Sequence, residues 1–381
     1  MQGADPASVV ELLTTVAREA GASDVVMYLV DFGHTSLEPV PDGRAVRDLP
    51  PSEAVAASMA GRAFVDEHSA TADRAEGTRI WVPIVEGSDR TGVLAVTVPT
   101  ASDETISTCE ELGMFVGYVI ATQSRMTDLF AVTRQRRALS VSATMQWDLL
   151  PPLLLKTERM SVAGLVEPAY DVGGDSFDYA LNGSTFNVAM IDAMGHGIES
   201  ALIAALTIGT YRHDRREDVT LDVAHSNLDA TLSEHGRPFT FATGQLAQID
   251  LDTGMMTWTN AGHPLPLLIR GGRVIREMEC PATPPWGLGA VVPSRRKPTV
   301  AHDALEPGDS VLFYSDGVTE AHAAGGPEFG VERLMDLVGQ HASDQLQPEE
   351  VVRQLVRSVR DHRDSDLADD ATLVLVEWNG P

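Results

Sequence analysis

Four acidic positions in the C-terminal half of this chain each stand at the end of an apolar run of strand length, and no other feature limits the fold as much. Asp175 opens "DSFDYAL", Asp192 closes "FNVAMID", Asp316 closes "DSVLFYSD", and the pair Asp369-Asp370 opens "DDATLVLVEW". Turn signals separate the runs: Asn182-Gly183, Asp252-Thr253-Gly254 and Gly271-Gly272 each lie between apolar stretches, the mark of antiparallel hairpins. Helical spacing of apolar residues is confined to blocks at 197–211, 219–235, 331–339 and 348–360. Antiparallel strands with two helical layers predict an α/β sandwich from about residue 156 onward.

The first hairpin gives the acids a geometry. With Asn182-Gly183 at the centre of a type I′ turn, Leu181 opposes Ser184 and Asp175 opposes Met190. Asp192 then lies on the same face, diagonal to Asp175 at about 7–8 Å between backbones. Two like charges so placed repel unless a cation lies between them, and Asp316 and the Asp369-Asp370 pair repeat the theme of an acid at a strand mouth. Blander readings stand beside this one. Asp192 could cap the helix that starts near Gly197, and Asp316-Gly317 could be an ordinary turn. Hard oxygen donors without a His or Cys cluster favour Mg²⁺ or Mn²⁺ over zinc. Two such ions suit in-line displacement at phosphorus, hence phosphate ester hydrolysis. The chain has no GxxxxGK[ST] loop and no kinase-like Lys and HRD set, so nucleotide-driven transfer lacks its machinery.

Charge narrows the partners. A formal net charge of −27 disfavours nucleic acid and anionic membranes, both of which attract Lys and Arg. No apolar run reaches the roughly 20 residues of a membrane helix, and no basic-then-apolar leader opens the sequence. Cys109 and Cys280 are far apart, with no CxxC spacing, so neither a disulfide framework nor a zinc site is expected. These features together predict a reduced, cytoplasmic protein.

The first 128 residues read differently. A helix over 9–17 stops at Gly21, a strand follows at 25–30, a helix is expected at 52–64, strands at 79–85 and 92–98 flank the turn at 87–89, and a long helix begins near 104. The pair "RIWVPIVEG" and "TGVLAVTVP" resembles the core hairpin of GAF domains, which implies an α/β sensory or regulatory domain over 1–128. Between them and the sandwich, 129–155 reads as a connecting switch helix. Leu129, Val132 and Leu139 recur near heptad spacing beside Arg134, Arg136 and Arg137, a pattern that pairs with its copy in a homodimer. Leu149-Leu150-Pro151-Pro152 ends it.

Seven blocks then carry a resemblance over roughly 156–377: "QWDLLPPLL", "EPAYDVGGDSFDY", "AMIDAMGHGIESAL", "NAGHPLPLL", "PPWGLG", "LEPGDSVLFYSDGVTEA" and "ADDATLVLV". In this order they resemble the bacterial PPM-type serine/threonine phosphatases of the SpoIIE/RsbU group. The resemblance implies an αββα sandwich over 156–381, a dinuclear Mn²⁺ or Mg²⁺ centre, and a water nucleophile with no covalent phosphoenzyme. It implies Asp192 as the bridging ligand beside the backbone carbonyl of Ala193, and Asp175, Asp316 and Asp369 as the other acidic ligands. Asp370 would support them from behind. His196 would handle a proton or the substrate phosphate, whereas His263, in AGHP between strands, reads as structural. The implied substrate is a phosphorylated protein, an anti-sigma-factor antagonist of STAS type, with the N-terminal domain controlling the active site through the connecting helix. A pseudophosphatase that only binds phosphoproteins is the alternative, against which the intact acid set weighs. Gly173-Gly174-Asp175-Ser176-Phe177 is one letter from the GGDEF of cyclic di-GMP synthesis, yet Ser176 replaces the acid that chemistry needs. Where the phosphatases often have Trp-Tyr after GGD, this chain has Ser176-Phe177.

Overall fold

Two units divide at Ala138 and Leu139. The computed structural model describes residues 9–19, 21–42, 48–86, 89–167, 170, 173–235, 239–281, 283–289, 298–322, 326–343, 346–362 and 370–381.

The first unit contains α1 (Val9–Glu19), β1 (Asp24–Val30), β2 (Ser36–Pro39), β3 (Glu53–Ala54), α2 (Met59–Asp66), β4 (Ala70–Arg74), β5 (Gly77–Glu86), β6 (Asp89–Val98), α3 (Asp103–Gln123) and α4 (Leu129–Thr133). Its antiparallel sheet runs β3-β2-β1-β6-β5-β4. β1 is apolar at nearly every position because both its faces are covered. Val25, Met27 and Leu29 pack with residues of α1 and α3, while Val26, Tyr28 and Val30 pack with Ala60, Ala63 and Phe64 of α2. Residues 87 and 88 of the expected turn lie outside the described residues. The helix expected over 52–64 begins only at Met59. Ser58, in extended conformation, caps it by accepting from Gly61 N, and Glu53 and Ala54 pair with β2 instead.

The connecting segment is not one helix. α4 ends at Thr133, and α5 (Val141–Leu149) starts after an irregular stretch, capped by Ser140. The basic cluster explains the break within the first unit. Arg134 stacks 4.6 Å from the Phe32 ring centroid and donates from Nε to Val30 O at 2.9 Å, while Arg136 pairs with Glu38 at 3.7 Å. These side chains fasten to β1 and β2 rather than continuing a heptad, so the seam on which pairing with a second copy was expected is interrupted. Proline ends α5 as expected, with Leu150 extended ahead of Pro151.

The second unit continues with β7 (Leu154–Lys156), β8 (Met160–Glu167), β9 (Asp175–Asn182), β10 (Thr185–Ala193), α6 (Ile198–Arg216), α7 (Leu221–His235), β11 (Ala242–Asp250), β12 (Met255–Ala261), β13 (Leu267–Arg270), β14 (Arg273–Glu277), β15 (Ala301–Ala304), β16 (Asp309–Tyr314), α8 (Asp316–Thr319), α9 (Val331–Ser343), α10 (Pro348–Asp361) and β17 (Ala371–Trp378). Two antiparallel sheets result, β15-β12-β11-β10-β9 and β14-β13-β16-β17-β8-β7. Period-2 alternation assigns the faces of β10. Phe186, Val188 and Met190 join Phe177, Trp258, Val162 and Phe313 between the sheets, whereas Ala189, Ile191 and Ala193 meet Ala204, Ile208 and Tyr211 of α6. Leu334 and Val338 of α9 and Val352 and Leu355 of α10 belong to the core of the second sheet. The order of layers is helix, sheet, sheet, helix.

No helix among the described residues is long and apolar enough to cross a membrane. Cys109 and Cys280 are buried free thiols.

Candidate active site

The β9–β10 hairpin sets two acids face to face. Asn182 opposes Thr185, so Gly183 and Ser184 form the loop and Asp175 lies directly opposite Asp192. The expected diagonal placement, with Asp175 opposite Met190, is therefore corrected by two residues. Gly183 has φ +61°, and Ser184 is not in the positive-φ region, which fits a II′ turn with glycine first rather than an I′ turn with glycine second. Ala193 N donates to Gly174 O at 3.1 Å. The next pair along, Asp175 with Asp192, is accordingly non-hydrogen-bonded, the kind in which facing side chains approach most closely. Both point into the mouth between the sheets, on the face that carries Phe177 and Met190. Ser176 points to the other face, so an acid there would not reach this mouth.

β9 is an edge strand, which leaves the amide and carbonyl of Asp175 facing away from β10. Each finds a partner from elsewhere in the unit. Asp370 Oδ2 accepts from three successive amides, Gly173 N at 3.2 Å, Gly174 N at 2.9 Å and Asp175 N at 3.1 Å. Gln146 of α5, only 3% exposed, donates from Nε2 to Asp175 O. Glycine is required at 174, because a Cβ there would stand 2.7 Å from Ala193 O. Gly174 thus lets the Ala193 carbonyl and the Asp175 strand come together, while a Cβ at Gly173 would stand 2.6 Å from Gly197 O.

The second sheet delivers the remaining segments. Ser315 N donates to Thr372 O at 3.0 Å, and Thr372 N donates to Ser315 Oγ at 2.9 Å. This clasp joins the end of β16 to the start of β17 and sets Asp316, half-buried at the first position of α8, next to it. Ser315 and Thr372 both lie beside the Asp175 carboxylate. Asp369 lies outside the described residues. Among the described residues no three His, Cys, Asp or Glu side chains close on a common point.

Electrostatics disfavour a charge on Asp175. Burial, then the charges of Asp192 and Asp370, push the Asp175 carboxyl well above the usual carboxylate range. Its Oδ2 is buried with no hydrogen-bond partner. An orphaned acidic oxygen facing a second acid fits a divalent ion with oxygen ligands.

His196 is exposed on the turn between Ala193 and α6. His263 is 4% exposed, and burial pushes its imidazole down to about 3. It is held against Thr243 Oγ1 at 2.9 Å, and that hydroxyl lies 3.2 Å from Asp192 Oδ2. Gln146 and Thr243 escaped notice as site residues in the sequence. The "QWDLLPP" block held the only signal for the first, and nothing local marks the second.

A family model, Stage II sporulation protein E (SpoIIE), matches residues 182–379. The phosphoserine phosphatase RsbU of Bacillus subtilis is 25% identical over 268 residues, which is 69% of this chain and 76% of RsbU. A crystal structure of the RsbU and RsbW domains of Rv1364c from Mycobacterium tuberculosis superposes with a TM-score of 0.50 at 26% identity, covering 58% of this chain and 61% of that one. The SiaA-PP2C domain of Pseudomonas aeruginosa shares the fold, with a TM-score of 0.52 at 19% identity over 68% of this chain and 99% of that domain.

Proposed function

Because the chain belongs to the SpoIIE family and is a PPM-type serine/threonine phosphatase, we propose that it hydrolyses phosphoserine or phosphothreonine on a regulatory protein at a centre of two Mn²⁺ or Mg²⁺ ions. The observation that carries this reading is the direct opposition of Asp175 and Asp192, with a buried carboxylate oxygen left unpartnered. Asp175, Asp192, Asp316 and Asp369 are the proposed ligands, with the Ala193 carbonyl beside Asp192. When bound, such ions supply a water of lowered pKa and positive charge to offset the phosphoryl group. Asp370 and Gln146 hold the Asp175 backbone at its amide and its carbonyl, so its carboxylate is aimed before any ligand arrives. His196, exposed between Gly195 and Gly197, is the residue we propose to meet a substrate phosphate or carry a proton from it.

The substrate we favour is a phosphorylated anti-sigma-factor antagonist of STAS type. Its support is the likeness to RsbU and to a structure in which an RsbU domain shares a chain with an RsbW domain. For the first unit we propose a GAF-like regulatory role. β5 and β6, the hairpin on which that resemblance rests, lie inside a sheet covered by helices on both faces.

The test is phosphate release from p-nitrophenyl phosphate with and without Mn²⁺, comparing the native chain with Asp192→Ala and Asp316→Asn. Manganese-dependent turnover lost in both variants is expected. Native protein that binds Mn²⁺ without turnover overturns the enzyme reading in favour of phosphoprotein binding.

A further inference from the structure

We infer that His263 is a positioning residue that, through Thr243, fixes the Asp192 carboxylate for metal binding. The inference rests on the reading of Asp192 as a ligand. Thr243 lies on β11 directly opposite Asp192 in the ladder, so the hydroxyl and the carboxylate are cross-strand neighbours. Thr243 Oγ1 is 3.2 Å from Asp192 Oδ2 and 2.9 Å from His263 Nδ1.

Donor counting then sets the direction of each bond. An ionised carboxylate only accepts, so the single hydroxyl proton of Thr243 goes to Asp192. The threonine oxygen must take its second bond as an acceptor, and His263 must supply the proton from Nδ1. Burial keeps the ring neutral, so Nε2 carries no proton. Nε2 is buried and makes no hydrogen bond. A bare acceptor left unpaired there costs less than an unpaired N–H. The Tyr314 backbone beside the ring acts against burial, raising the imidazole pKa, and is the one contact among the described residues that favours the other tautomer.

The backbone that carries the ring is clamped. Asn260 Oδ1 accepts from His263 N at 2.8 Å, and Asn260 Nδ2 donates to His263 O at 3.0 Å. Gln245 Nε2 donates to Pro264 O at 2.6 Å. The "NAGHP" segment is thus a rigid bracket whose product is one oriented N–H. Asp192 receives a fixed donor on Oδ2, which confines its remaining lone pairs to directions a cation can use.

Two measurements on the full chain decide the matter. Mn²⁺ alone is titrated while free Mn²⁺ is followed by electron paramagnetic resonance, with Asp192→Ala as the control for the ligand reading. His263→Ala and Thr243→Val should weaken Mn²⁺ binding by about 10–100-fold. His263→Asn, which presents an N–H near the Nδ1 position, and Thr243→Ser should restore most of it. Nitrogen-15 NMR of histidine in the unsubstituted protein should find His263 protonated at Nδ1. Native Mn²⁺ affinity in His263→Ala, while Asp192→Ala loses binding, overturns the inference and spares the ligand reading. A proton on Nε2 also overturns it, because Thr243 would then donate to the ring and turn away from Asp192. Unchanged affinity in Asp192→Ala removes the ligand reading and the inference with it.

Discussion

Replacing Gln146 by Met isolates one hydrogen bond at the strand that carries Asp175. The two side chains are nearly the same size, so the 3% exposed site keeps its packing and loses only the donor to Asp175 O. That carbonyl has no ladder partner to fall back on, since β9 is an edge strand and Asp175 and Asp192 form a non-hydrogen-bonded pair. A buried carbonyl stripped of its donor costs about 1–3 kcal/mol. In a unit of this size each kcal/mol lowers Tm by roughly 2–4 °C, so the metal-free protein should melt about 4–8 °C lower at the middle of that range. Because the donor holds Asp175, which we propose as a metal ligand, Mn²⁺ affinity should fall as well, and the Tm gap should widen when Mn²⁺ is added to both proteins. Differential scanning calorimetry with and without Mn²⁺ reads both effects. An unchanged Tm refutes the energetic argument, and equal stabilisation by Mn²⁺ refutes the claim that Gln146 orients the ligand.

Two further outcomes follow from the same reasoning. Gly174→Ala drives a Cβ to 2.7 Å from Ala193 O, so β9 or the Ala193 carbonyl must move; kcat/KM for p-nitrophenyl phosphate should drop on the order of 10²-fold, and native kinetics would contradict the close approach. His225 is buried between Thr259 and Thr283, with its pKa pushed down to about 4 from the usual 6.5. Its contribution is complete above pH 6.5 and is lost as the pH falls toward 4, because the unfolded chain takes up a proton that the folded one refuses. Urea denaturation should register about 2 kcal/mol of this loss between pH 7 and 5, and His225→Gln should remove that part of the slope.

Much of this was legible in the residues. The period-2 runs and glycine turns around Asp175 and Asp192 announced a hairpin with acids at one end, because alternation and turn chemistry are local properties. The register was not legible, since Gly183 can serve as the second residue of one turn or the first of another, and only cross-strand packing decides. Ser58 as a helix cap was hidden by a run of helix formers before it. Gln146 and Thr243 act across 29 and 51 residues of sequence, and no spacing rule spans such distances; Asp370, about 195 residues from its partners, was legible only through the family resemblance. His263 reads as structural because AGHP sits between strands, and its partner Thr243, which titrates nothing, gives no signal of a further role. The basic cluster at Arg134 and Arg136 looked like part of a helix face, yet each guanidinium found an acceptor on the first unit's sheet.

The last strand has a consequence for how the protein comes into being. β17 lies between β16 and β8, in the interior of its sheet, and Asp370 immediately before it holds the amides of residues 173–175. A chain still on the ribosome that stops short of residue 370 therefore has a split sheet and an Asp175 whose backbone is held on one side only. Synthesis itself acts as a safety catch. The Asp175 strand gains its second support only once residues 370–378 have been made and have entered the gap between β16 and β8.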